Sequence, residues 1–128
     1  LTMLRESYKA LKPGGKIRIT TPDLNELIKI LDNDNNDYKN YINWSAKENN
    51  LVSNNSIEVF NNFFQSWGHK FIYNRIFLKE NLSNIGFKNL TFFDLNISDD
   101  DSFKNLENIS RLPDNFLQIE SFTIQGIK

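Results

Sequence analysis

The sequence predicts an α/β fold, a small sheet with helices packed against it, and three stretches carry that reading. Leu1, Leu4, Tyr8 and Leu11 recur at helical spacing, Lys12-Pro13-Gly14-Gly15 interrupts them, and Lys16-Ile17-Arg18-Ile19-Thr20 then alternates as a strand does. Residues 90–95 (LTFFDL) are apolar on both phases, as a strand covered on both faces must be. Residues 117–127 make a last strand whose alternation slips: Leu117 and Ile119 share one phase, Phe122 and Ile124 the other. A bulge near Glu120-Ser121 is the expected remedy.

Each element has its own local cause. Pro13 presets φ for the second position of a turn and Gly14 tolerates the positive φ that a type II turn needs at the third, so the first helix stops there. After the first strand, Thr21 or Asp23 caps a helix, with Pro22 at N1 behind Thr21, or Asp23 and Glu26 as a capping box. Leu24, Leu27, Ile28 and Leu31 form its apolar face, and residues 32–36 turn. Tyr38, Tyr41, Ile42 and Ser45 mark a second helix with Trp44 nearby. Asn55 with Glu58 opens a third, on which Ile57, Phe60, Phe63, Phe64 and Trp67 follow a helical period up to Gly68. Asn74 caps a fourth; Leu78, Leu82 and Ile85 are its stripe, Gly86 its stop, and Phe87 stands where a Schellman motif returns an apolar contact to Leu82. Phe103, Leu106 and Ile109 suggest one short helix before Leu112-Pro113 turns the chain.

Composition narrows the function. With 128 residues and eleven Phe, the chain can build one modest core. A net charge of −1 and a pI near 5.8 leave no electrostatic footprint for nucleic acid. No apolar run approaches the roughly 20 residues of a membrane span. The absence of cysteine excludes disulfides and thiolate metal sites, and a reducing cytoplasm is the expected location.

The turn Leu11-Lys12-Pro13-Gly14-Gly15 between helix and strand resembles the region leading into the fifth strand of class I S-adenosylmethionine-dependent methyltransferases. Residues 67–73 (WGHKFIY), then Leu78, Leu82, Gly86 and Phe87, then Ser98-Asp99-Asp100, extend the resemblance to a bacterial subgroup of predicted methyltransferases, of methyltransferase type 11 character, associated with surface-glycan genes. The resemblance covers almost the whole chain. It implies a partial Rossmann-like sheet of fifth, sixth and antiparallel seventh strands, with the seventh inserted between the others. Residues 24–73 become a helical insertion on the acceptor side, and residues 1–128 the C-terminal part of the domain. The glycine-rich loop and the acidic residue that hold S-adenosylmethionine in that family are missing, so cofactor binding is not expected of these residues alone. A start on Leu1, inside an apolar stripe, suggests a longer parent chain. The resemblance thus implies methyl transfer to a small or glycan-linked acceptor, with a non-catalytic interaction module as the alternative. An open sheet edge further implies a homodimer.

Five residues are candidates for the site. His69, the one imidazole, titrates near neutrality and follows a helix-ending glycine, so it can act as base or hydrogen-bond partner of an acceptor; it can equally bond a backbone carbonyl. Trp67 and Tyr73, with Phe71 between them, offer an aromatic wall or simply core packing. Thr21 and Asp23 stand at the carboxyl end of the first strand, where open α/β sheets bind ligands, and helix capping explains them as well. The Ser98–Asp101 run lacks the alternating ligands, glycine and distal Glu of a calcium loop and reads as a cap for the Phe103 segment. Glu107 and Arg111 read as an i,i+4 ion pair, with Arg111 meeting an anionic acceptor as the alternative.

Overall fold

The computed structural model describes residues 2–31, 35–66, 68–113 and 115–128. Leu1, residues 32–34 of the expected turn, and Trp67 lie outside them. Helix α1 (Thr2–Ala10) precedes strand β1 (Lys16–Pro22), and the turn between them forms as its residues dictate. Gly14 has φ +76° and Gly15 N donates to Lys12 O at 2.8 Å. Helices α2 (Leu24–Lys29), α3 (Asn36–Glu48) and α4 (Ser56–Gln65) follow, then α5 (Arg75–Ile85), β2 (Lys88–Phe93), two 3-10 turns, α6 (Phe116–Glu120) and β3 (Ser121–Ile127).

The sheet order is β1-β3-β2, with β3 antiparallel to both neighbours, so β1 and β2 point the same way. The chain is therefore mixed α/β, with its last strand in the middle of the sheet. That position explains the composition of β3, whose residues 121–126 are all buried. On one face Phe122 and Ile124 pack with Leu4 of α1, Leu78 and Leu82 of α5, and Phe87. The opposite face is polar. Thr20 and Thr123 hydroxyls meet at 3.0 Å, and Gln125 Nε2 donates to Ser98 Oγ at 2.9 Å. Residues 94–111 cover this face, anchored by Arg18 and Glu107, whose side chains are only 3% and 8% exposed.

Helix α5 ends in the expected Schellman motif: Phe87 N bonds Leu82 O at 3.1 Å and Gly86 N bonds Ser83 O at 3.0 Å. A Cβ on Gly86, where φ is +121°, would stand 2.8 Å from Tyr8 Oη, so glycine also lets α1 and α5 approach. A second core lies among α2, α3, α4 and α6, around Leu27, Ile30, Tyr41, Val59, Phe63 and Phe116.

Several local expectations shift. Residues 117–120 belong to α6, so the slip in alternation is a helix-to-strand boundary, and the register irregularity sits instead in β2 between Lys88 and Thr91. Asn89, at φ +52°, accommodates it. In α2, Ile30 is buried while Ile28 and Leu31 are exposed; in α4, Val59 takes the core position expected of Ile57. Asp23 caps α2 through Asn25 N at 3.0 Å, but no capping box closes, because Glu26 turns to Lys29 and Tyr38 and the Asp23 N–H bonds Glu120 O. The 103–109 stretch is not one helix: 3-10 turns at Asp101–Phe103 and Ile109–Arg111 stand at its two ends, with irregular chain between. Glu107 pairs with Arg18, not Arg111.

Candidate functional site

A cavity of about 560 Å³ opens at the carboxyl end of β1, between the sheet and helices α3 and α4. Thr20, Thr21 and Pro22 supply its sheet side, joined by Ser121 at the start of β3. Tyr41, Trp44, Ser45 and Glu48 enter from successive turns of α3, Phe63 from α4, and Arg111 and Leu112 from the second 3-10 turn. Glu120, the last residue of α6, completes the wall. The helical period of α3 that buries Tyr41 and Ser45 thus also aims Trp44 and Glu48 at the same space.

Glu120 is the more deeply set of the two carboxylates there, its side chain 12% exposed. Tyr41 Oη donates to Glu120 Oε2 at 2.6 Å, and Arg111 Nη2 lies 3.6 Å from Oε1. Burial pushes the Glu120 carboxyl above the ordinary carboxylate range, although Tyr41, Arg111 and His69 all pull it the other way. Burial also pushes the Tyr41 hydroxyl far above its usual value, and the adjacent Glu120 carboxylate adds to the shift. Tyr41 is therefore a permanent donor, fixing the orientation of the carboxylate.

His69 lines the same cavity, with Nδ1 2.8 Å from Phe63 O. A carbonyl only accepts, so Nδ1 carries the proton and Nε2 is the basic nitrogen of the neutral ring. The backbone-carbonyl bond weighed for His69 forms, and its ring borders the cavity. Thr21 joins it there. Asp23 does not line the cavity; it is 1% exposed, with one oxygen capping α2 and the other accepting from Arg75 Nε at 2.9 Å. Tyr73 also lies away from it, packed edge-on to Phe71 at 4.8 Å, while its carbonyl accepts from Leu24 N. Trp67 lies outside the described residues.

Glu120, Tyr41 and Trp44 were missed as site residues by sequence reasoning. Tyr41 and Trp44 read as helix-face aromatics, and Glu120 as part of a strand. A polar residue on the supposed buried strand was the one available signal.

The chain matches no known family model, no curated protein and no solved structure. Among the described residues no helix is long and apolar enough to cross a membrane, and no three His, Asp or Glu side chains gather as a metal site would require.

Proposed function

We propose that this chain is the acceptor-binding part of an S-adenosylmethionine-dependent methyltransferase, acting on a small or glycan-linked acceptor. The observation that carries the reading is topological. Two strands running the same way flank an antiparallel last strand, and a cavity of about 560 Å³ opens at the carboxyl end of β1, the edge where open α/β sheets take ligands. The helix, Pro-Gly-Gly turn and strand that begin the chain agree with it.

The cofactor itself does not fit the residues present. The five glycines stand at positions 14, 15, 68, 86 and 126, none of them in a loop leading from a strand into the start of a helix. No catalytic step is therefore assigned through it. The part left to these residues is to receive the acceptor: the hydroxyls of Thr21 and Ser121 orient it, and His69 Nε2 takes a proton where the acceptor is a hydroxyl.

Calorimetric titration with S-adenosylhomocysteine tests the proposal. The product of the whole reading frame that encodes this chain should bind it at one site, and the 128-residue chain should not. Failure of the whole product to bind would overturn the assignment. The second reading, a non-catalytic module docking through its sheet, is favoured by the free side of β1, which among the described residues has a strand partner only in β3. It predicts that neither product binds the ligand.

A further inference from the structure

The cavity at the carboxyl end of β1 holds one carboxylate that is both buried and fixed. We propose that this cavity is a binding site for an organic ammonium ion, received by Glu120 Oε1 and flanked by Tyr41, Trp44 and Phe63. The inference takes the acceptor-site reading and names the chemical class of its ligand.

Glu120 is held firmly at one oxygen and only loosely paired at the other. Tyr41 Oη donates to Oε2 at 2.6 Å, and among the described residues it is the one hydrogen-bond donor to this carboxylate. A carboxylate offers about four lone-pair sites, so Oε1 keeps acceptor capacity toward the cavity. Arg111 approaches Oε1 only to 3.6 Å, longer than the 2.7–2.9 Å of a charge-assisted hydrogen bond.

Burial decides which charge dominates the site. The Arg111 side chain is 57% exposed and the Glu120 side chain 12%. Solvent screens the guanidinium, whereas the carboxylate acts in a drier, less polarisable setting. Glu48 adds a second carboxylate to the lining. His69, anchored through Nδ1 to the Phe63 carbonyl, adds positive charge only when protonated. An anion would meet two carboxylates here. An ammonium group would find a fixed acceptor and aromatic side chains, whose ring faces attract cations. The ammonium takes the position at Oε1 that Arg111 approaches, so the guanidinium is its competitor.

Calorimetric titration of the 128-residue chain with benzylammonium, benzyl alcohol and benzoate tests this, because the three differ chiefly in charge. Benzylammonium should bind at least about tenfold more tightly than either of the others. Glu120→Gln, which still accepts from Tyr41, should erase that preference, and Arg111→Gln should retain or increase it. Equal or tighter binding of benzoate would make this an anion site centred on Arg111. Equal binding of benzyl alcohol would make it a neutral pocket, and absence of binding by all three would remove the site; each overturns the inference. If circular dichroism shows Glu120→Gln unfolded, the wild-type preference and the Arg111→Gln arm still decide. No cofactor is needed, so a failed S-adenosylhomocysteine titration and a failed amine titration are separate results.

Discussion

Replacing Glu107 by Gln should destabilise the fold by about 3 kcal/mol, and two separate lines of physical reasoning give that size. The carboxylate accepts from Arg18 Nε and Nη2, each at 2.8 Å, from Thr20 Oγ1 at 2.8 Å, and from Asn96 N at 2.7 Å. Arg18 is almost wholly buried, so neutralising its partner strands a cation in the sheet face, and breaking such a pair costs about 3–5 kcal/mol. The second line is acid–base. Chiefly through the Arg18 hydrogen bonds, the Glu107 carboxyl falls from an ordinary 4.5 to about 2, a difference worth about 3 kcal/mol. Because the folded value lies below the unfolded one, this stability is complete above pH 4.5 and is lost as pH falls toward 2. Urea titration of both proteins from pH 7 downward is the assay. The gap should be widest at neutral pH and close in acid, with the m-value unchanged. A loss below about 1 kcal/mol at pH 7, the range of an exposed pair, would refute the idea that this contact is buried and well satisfied. Arg18→Met combined with Glu107→Leu should recover most of the loss, since removing both charges strands neither.

Gly86→Ala should cost about 1–3 kcal/mol, since a side chain at φ +121° is strained and its Cβ meets Tyr8; hydrogen exchange should show α1 amides losing protection together with the end of α5. Asp23→Ala should cost about 1–2 kcal/mol in urea titration through the lost α2 cap, and not more, because Arg75 is half exposed and regains water. Multi-angle light scattering should show a concentration-dependent dimer through β1, and Lys16→Pro, at a position whose N–H faces away from β3, should weaken association; a monomer at all concentrations would remove the sheet-edge interface.

What was legible in the sequence follows from how local each signal is. The Pro13-Gly14 turn, the Asn55 and Asn74 caps and the Gly86 stop depend on a few neighbouring residues, and all form. The three strands were found for the same reason, by short runs of apolar residues. The phase of α2 and α4 was misjudged because both helices carry apolar residues on more than one face, and only the packing of α2, α3 and α4 together selects Ile30, the residue that ends α2, and Val59. Residues 117–120 passed for strand because Leu, Gln, Ile and Glu suit either state and helix length there is a single turn. Glu107 was invisible for a deeper reason: its partner stands 89 positions earlier, on β1, and sequence spacing offers only the neighbour one turn away. The cavity was half legible. His69 and Thr21 were identified, whereas Glu120 and Tyr41 meet across 79 residues, and nothing near either announces the other.

Among the described residues, every side-chain-bearing position with positive φ is an asparagine: Asn50, Asn89, Asn96, Asn105 and Asn115. The left-handed region costs most L-residues about 1–2 kcal/mol and asparagine less. The abundance of this amide is thus partly a structural vocabulary, with Asn spelling bends that other chains write with Gly. Exchange for glycine should be tolerated at these five sites and exchange for valine should not, which gives a tolerance map that a mutational library can read without any knowledge of the ligand.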